Sequence, residues 1–202
     1  FMVPIILCFL LTDFAIIIER HFALRTAFGK TSLVKFVDGI KKALAANDLA
    51  KAQALCDQQR GSVANVVSAT LKKYKEMEED TVLSKEQKVL AIQKELEEST
   101  ALEMPMLQQN LPILATLTTL GTLSGLFGTV MGMIRSFASL AGEGGTDSAM
   151  LSVGISEALV NTAAGIATAA FALIGYNFYT NKIDKLTFSL DEVGFTIVQT
   201  FS

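Results

Sequence analysis

The sequence predicts an all-α membrane protein with three transmembrane helices and long cytoplasmic helical extensions. Half of its 202 residues are hydrophobic, which is more than a water-soluble globule usually carries. The hydrophobic residues are concentrated in three runs, and a bilayer-spanning helix needs roughly 20 such residues. The segment between the first and second runs is rich in Lys and Glu, which is typical of solvated helices.

The first apolar run covers residues 1–18 and predicts transmembrane helix 1. Its single charge is Asp13, which we expect near the inner end of the span as an anchoring or gating charge. The chain opens inside this run without an initiator methionine. We therefore expect the N-terminal part of this span to lie before residue 1.

The second and third runs predict transmembrane helices at 110–140 and 148–179. Each is long enough to cross a bilayer, and each carries a single charge in its apolar part, Arg135 in the second and Glu157 in the third. The short glycine-rich segment 141–147 joins them and predicts a tight turn. The two spans are therefore expected to form an antiparallel hairpin.

Lysine and arginine are distributed unevenly along the chain. Fourteen of the seventeen lie in the helical region 19–109, two lie in the tail 180–202, and the turn has none. The positive-inside rule then places the helical region and the tail in the cytoplasm and the turn in the periplasm. Within the helical region, Asn47 and Asp48 predict a helix cap before the segment LAKAQALC.

Other functional classes lack support in the sequence. No basic cluster interleaved with aromatic residues indicates nucleic-acid binding, and no metal-ligand cluster or nucleophile–base arrangement is visible. The glycines of GTLSGLFGTVMG lie inside a hydrophobic span, whereas a nucleotide-binding loop joins a strand to a helix. We therefore predict that the protein is not an enzyme and has no metal or other cofactor.

One face of the second span carries small and polar residues. They follow helical spacing and are Thr118, Thr122, Gly125, Thr129, Gly132 and Ser136. Two interpretations stay open. Small residues allow helices to pack closely in lipid, and hydroxyl groups can line a hydrated path. On the second interpretation Thr118, Thr122, Gly125 and Ser136 line a pore.

Glu157 is the strongest functional candidate in the third span. A carboxyl group in hydrocarbon is costly, so it usually faces a cavity or a partner and marks a functional site. A symmetric hairpin turn places Glu157 level with Thr129, with Thr162 about 7 Å deeper. Asn161 and Thr168 share the helix face of Glu157 and are further pore-lining candidates. The alternative is a structural hydrogen bond between helices.

Arg135 lies near the outer end of the second span. Its long side chain can reach lipid headgroups there, or pair with Glu143 or Asp147 in the turn. We therefore expect it to act as an anchoring or gating charge.

Three motifs resemble the ExbB/TolQ/MotA family of proton-channel motor subunits, and most of all its ExbB and TolQ members. They are GLFGTVMGMIRSF at 125–137, GISEALVNTAAG at 154–165 and YN at 176–177. The IIIER ending of the first span and the ANDLAKAQALC pattern of the cytoplasmic region add to the similarity. The resemblance covers nearly the whole chain.

The resemblance implies a homo-pentameric ring in the bacterial inner membrane. Its central pore would hold two copies of an ExbD/TolR-like single-span protein, and a TonB-like transducer would be a further partner. The residues that match the family's proton path are Thr129, Glu157 and Thr162, and the transported ion would be the proton.

The leading functional hypothesis is therefore a stator subunit that converts proton motive force into motion of a partner, energising outer-membrane transport or envelope processes. The alternative is a structural membrane scaffold that positions a partner helix without conducting ions. A third hypothesis is a passive channel that leaks ions without a partner.

Overall fold

A computed structural model describes residues 2–140 and 148–201. Every regular element among these residues is helical, and no strand occurs in them. The helices are α1 (Met2–Ala27), α2 (Leu33–Ala45), α3 (Leu49–Gln59), α4 (Ser62–Glu79), α5 (Lys85–Gln108), α6 (Leu111–Leu140) and α7 (Ser148–Phe201). The stretches long and apolar enough to cross a membrane are Met2–Ala27, Lys85–Ser139 and Ala149–Phe201. The predicted all-α class with three candidate spans is confirmed.

Two helices continue beyond the predicted spans. α1 runs past residue 18 to Ala27, because the sequence contains no helix-breaking residue there before Gly29. α7 includes almost the whole predicted tail 180–202, which contains no proline. The predicted turn 141–147 lies outside the described residues, and the assignment of segments to membrane or cytoplasm stays a prediction.

The chain divides into two compact units. The first consists of Phe1–Arg20 with Asn110–Tyr179, and the second of His21–Gln109 with Thr180–Ser202. The first unit therefore contains α6 and the N-terminal parts of α1 and α7. The second unit contains α2 to α5 and the C-terminal parts of α1 and α7.

In the first unit, α6 and α7 pack through residues with little or no side chain. A methyl group added to Gly125 would lie 3.1 Å from the Cα atom of Gly165. One added to Gly132 would lie 2.8 Å from the Cβ atom of Ala158. Such close approach of two helices requires small residues on both of them.

α1 packs along α7 in the same unit. The rings of Phe14 and Phe171 have centroids 5.7 Å apart. The hydroxyl group of Tyr179 donates a hydrogen bond of 2.7 Å to the carbonyl oxygen of Ile17. The Ile17 side chain also lies over Gly175, where an added methyl group would be 2.9 Å from its Cδ1 atom. These contacts fix which residues of α1 and α7 lie at the same level.

The second unit contains short amphipathic helices. The apolar face of α2 is buried and consists of Phe36, Val37, Ile40, Ala43 and Leu44. α3 begins after Asp48, whose carboxylate accepts a 2.9 Å hydrogen bond from the backbone N–H of Lys51. This bond satisfies one of the donors left open at a helix start, and it confirms the predicted cap.

The charged second half of the region 19–109 forms two helices, α4 and α5. Between them, Asp80 accepts hydrogen bonds of 2.8 Å from the backbone N–H groups of Val82 and Leu83. Ser84 then caps α5, and its side chain and that of Gln87 each accept from the other residue's backbone N–H. This reciprocal capping box stabilises a new helix start and separates α5 from α4.

Gln59 ties the end of α3 to the connection between α1 and α2. Its side chain is 1% exposed. Its Nε2 atom donates to the carbonyl oxygens of Phe28 and Thr31 at 2.8 and 3.0 Å. Its Oε1 atom accepts from the backbone N–H of Thr31 at 3.2 Å and from the Thr31 hydroxyl group. One amide thus satisfies several polar groups of this connection.

We expect Gln59→Leu to lower the free energy of unfolding by roughly 2–4 kcal/mol, because it removes the four hydrogen bonds that this buried amide makes with Phe28 and Thr31. Denaturant unfolding of the full chain in detergent, followed by circular dichroism, measures this change. Gln93→Leu is the matched control, since Gln93 is an exposed helical glutamine. A loss for Gln59→Leu no larger than that of the control would contradict the role given to this amide.

Candidate functional site

The first polar cluster of the membrane spans joins α6 to α7. The hydroxyl oxygens of Thr129 and Thr162 lie 2.5 Å apart and share a hydrogen bond. Both hydroxyl groups also approach the carbonyl oxygen of Gly125, at 3.1 and 3.3 Å. Both threonines are half-buried. Two of the three residues assigned to the proton path are therefore in direct contact.

The second polar cluster pairs the two charged residues of α6 and α7. The guanidinium Nη1 atom of Arg135 lies 3.5 Å from Oε1 of Glu157. The Glu157 side chain is 34% exposed in this single chain. The predicted partners of Arg135 in the turn, Glu143 and Asp147, lie outside the described residues. The sequence analysis identified Arg135 and Glu157 as functional candidates but did not predict that they form an ion pair.

The direction of the side chains explains the observed pairing. The backbone contacts agree with the predicted antiparallel alignment, since Gly132 lies against Ala158. However, helical side chains tilt toward the N-terminus of their own helix, so the tilts converge between antiparallel helices. Thr129 therefore reaches Thr162, which a symmetric hairpin turn would place deeper in the span. The Thr129 hydroxyl group forms its hydrogen bond with Thr162 and not with Glu157.

Three further candidates are buried within the first unit. Ser136 and Thr168 are 1% exposed, and each hydroxyl donates to the carbonyl oxygen four residues earlier in its own helix. Asn161 is 2% exposed, and its Oδ1 atom has no hydrogen-bond partner in the described residues. Gly128 makes room for it, because a methyl group there would lie 2.6 Å from the Asn161 Cβ atom. The pore-lining role of these three residues stays a prediction.

The predicted stripe on α6 divides between packing and exposed positions. Gly125 and Gly132 lie in the interface with α7, whereas Thr122 is exposed and Thr118 is half-buried. At about 100° per residue the stripe spans about 80°, with Thr122 and Gly132 at its opposite edges. The two edges therefore meet different surroundings. The glycines support the packing interpretation, and the pore-lining interpretation stays a prediction. Sequence reasoning missed Gly121 and Gly128, which also lie on the packing face.

Thr129 also borders a shallow groove on the outer surface of α6. The groove has a volume of about 580 Å³, and its other lining residues are Leu126, Val130, Met133, Ile134 and Phe137. Apart from Thr129 these side chains are apolar. The groove can therefore receive apolar side chains while leaving one hydroxyl group within reach.

The site contains groups that can bind a proton and pass it on. It combines one carboxyl group, a guanidinium group and paired hydroxyl groups inside apolar helices. Hydroxyl groups both donate and accept hydrogen bonds, so they can relay a proton that a carboxyl group binds. The described residues contain no group of three metal-ligating side chains.

The fold and the site thus define a membrane protein with several spans that carries titratable and hydroxyl groups inside them. A family model described as the MotA/TolQ/ExbB proton channel family matches residues 59–192. The chain belongs to this family. The resemblance predicted from the motifs is confirmed, and the family is one of proton channels and not of enzymes.

Three similar proteins are named either TolQ or ExbB. The chain is 26% identical over 175 residues to the Tol-Pal system protein TolQ of Pseudomonas aeruginosa, covering 87% of the chain and 75% of that protein. It is 34% identical over 84 residues to TolQ of Haemophilus influenzae, covering 42% of the chain and 37% of that protein. It is 38% identical over 80 residues to the biopolymer transport protein ExbB of Salmonella typhimurium, covering 40% of the chain and 33% of that protein. The last two matches span about a third of the relatives' own lengths.

Proposed function

We propose that this chain is the proton-channel-forming stator subunit of an ExbB/ExbD-like or TolQ/TolR-like motor. The motor converts proton motive force into motion of a partner subunit and energises outer-membrane transport or envelope processes. The observation that carries this proposal is the pair of polar clusters within the spans, Thr129 with Thr162 and Arg135 with Glu157, in a member of a proton-channel family.

Glu157 is the proton-binding group in this mechanism. Protonation neutralises its carboxylate and weakens its attraction to Arg135, so proton binding frees the arginine for another partner. The hydroxyl groups of Thr129 and Thr162 pass the proton onward by exchanging hydrogen bonds. Each charge that crosses about 100 mV delivers roughly 2.3 kcal/mol, so a few protons drive a conformational step.

The proposed assembly is a homo-pentamer whose central pore holds two ExbD/TolR-like single-span helices, with a TonB-like transducer as a further partner. The groove beside Thr129 supports it, because an apolar partner helix would fit there and face the hydroxyl group. The proposed location is the bacterial inner membrane. The fourteen cationic residues of 19–109 support a cytoplasmic position for this region and for the C-terminus. The proposed ion is the proton.

A structural scaffold is the second candidate function. The burial of Ser136, Asn161 and Thr168 among close-packed helices favours it, since these polar groups could serve packing alone. In that case the first unit would hold a partner helix in place without conducting ions.

Proton flux into liposomes tests the proposal. The chain is reconstituted with and without the ExbD/TolR-like protein of its own organism, and an internal pH dye reports the flux under an imposed membrane potential. We expect flux only when the partner is present, and a large loss of it in Thr129→Val, which removes the hydroxyl group at nearly constant volume. Thr116→Val is the matched control, because Thr116 is an exposed threonine of the same helix.

The other outcomes identify the competing functions. Flux through the chain alone would indicate a passive channel. Absence of flux from a correctly assembled complex would favour the scaffold, and equal flux in the two threonine variants would remove Thr129 from the proton path.

A further inference from the structure

Asp13 is a completely buried acid in the first unit. Its exposed fraction is 0%, and neither carboxyl oxygen has a hydrogen-bond partner in the part of the chain that the structure describes. A charge that anchors a helix reaches lipid headgroups or pairs with an opposite charge. The burial of Asp13 therefore argues against the anchoring role expected from the sequence.

The face of α1 that carries Asp13 points into the unit. Ile6 and Arg20 lie seven residues before and after Asp13, and both are 2% exposed. Residues at this spacing share one side of a helix. The carboxyl group is therefore held inside the packed helices by the orientation of the whole helix.

A row of polar groups on α7 leads from Glu157, which is half-buried, through two buried residues to the level of Asp13. The contacts of Phe14 with Phe171 and of Ile17 with Gly175 place Asp13 level with about residue 170. The nearest buried polar residue of α7 is Thr168. The row is Glu157, Asn161 and Thr168, at spacings of four and seven residues on one helix face. It extends over roughly 20 Å to the level of Asp13.

The charged and titratable groups around Asp13 have other contacts or lie at other levels. On α1, Glu19 pairs with Arg20 and also accepts a hydrogen bond from Asn110. The others are the exposed Cys8 on α1, Arg135 on α6, and Glu157, Tyr176 and Tyr179 on α7. Arg135 and Glu157 pair with each other about 20 Å away along the helices, and the Tyr179 hydroxyl donates to Ile17.

We propose that Asp13 is a second proton-binding group of the channel, in series with Glu157; this inference rests on the proposed function. A buried carboxylate without a donor is unfavourable, whereas the protonated acid is neutral and its O–H group can donate. In the step proposed, protonated Asp13 breaks its O–H bond and gives the proton to a water molecule, leaving a carboxylate and a hydronium ion. A proton that arrives from Glu157 along the row then restores the acid.

Infrared spectroscopy of the reconstituted full chain tests proton binding without relying on flux. We expect the carbonyl stretch of a protonated carboxylic acid in the wild type and in Glu157→Gln, and a loss of that band in Asp13→Asn. The band should shift when heavy water replaces water. A spectrum of Asp13→Asn identical to that of the wild type would overturn the proposal.

Proton flux with the partner tests the position of Asp13 in the path. We expect Asp13→Asn, which is nearly isosteric with the neutral acid, to lose partner-dependent flux, and Asp13→Glu to retain part of it. Wild-type flux in Asp13→Asn would overturn the proposal and leave the proposed function intact. If the wild type itself conducts no protons, the proposed function fails, and with it the relay role of Asp13. Helix content and complex assembly of each variant are checked first.

Discussion

Replacing Glu157 with glutamine is expected to abolish partner-dependent proton flux. Glutamine keeps the size and hydrogen-bonding capacity of the side chain but cannot bind and release a proton in the physiological range. Glu157 is the carboxyl group of the α6–α7 cluster and lies 3.5 Å from Arg135. The same liposome assay measures the effect, with complex assembly verified for the variant.

Two further variants separate the causes of such a loss. Glu98→Gln is the matched control, because Glu98 forms an exposed ion pair with Lys94, and such pairs contribute little to stability. The double variant Glu157→Gln with Arg135→Gln removes the arginine that the single change leaves without this carboxylate. Recovery of flux in the double variant would mean that the unpaired arginine blocks the path and that Glu157 is not the proton carrier.

Gly165→Ala is expected to destabilise the packing of α6 against α7. The added methyl group would lie 2.5 Å from the carbonyl oxygen of Gly121 and 2.7 Å from the Cα atom of Gly125. These are backbone atoms, which cannot rotate away, so α6 and α7 must separate. We expect a loss of about 1–3 kcal/mol in the free energy of unfolding in detergent, despite the better helix propensity of alanine.

Gly175→Ala is the matched control for this prediction. It makes the same substitution on the same helix, but the nearest atoms belong to the flexible end of the Ile17 side chain. That side chain can move, so the change in stability should stay within about 1 kcal/mol. Equal effects at the two positions would show that the α6–α7 interface tolerates extra volume, which would contradict the close packing described for Gly165.

The architecture could be predicted because hydropathy alone determines which segments can lie in a bilayer. The apolar runs ending near residue 18 and beginning at 110 and 148 correspond to parts of α1, α6 and α7. The continuation of α1 to Ala27 was not predictable from hydropathy, which detects the end of an apolar run and not the end of a helix. The break at Asp80 depends on local hydrogen bonds that the charge pattern did not reveal.

The candidate site was predictable as a set of residues but not as a set of contacts. An intramembrane acid such as Glu157 stands out in any apolar segment. Its pairing with Arg135, and the bond between Thr129 and Thr162, depend on the tilt of side chains between two helices. The burial of Asp13 depends on how α1 is rotated against its neighbours, which one helix sequence does not determine. Spacing therefore identified candidates, and packing decided their partners.

The glycine interface between α6 and α7 also has a mechanical consequence. Where Gly125 and Gly165 meet, backbone rests against backbone, with almost no flexible side chain between them to deform. Sliding one helix along the other would force neighbouring side chains into these narrow gaps. The two helices should therefore respond to a load as one stiff rod. In the proposed motor, the subunit that pushes on a moving partner must resist deformation, and this contact would supply that stiffness beside the proposed proton-binding groups.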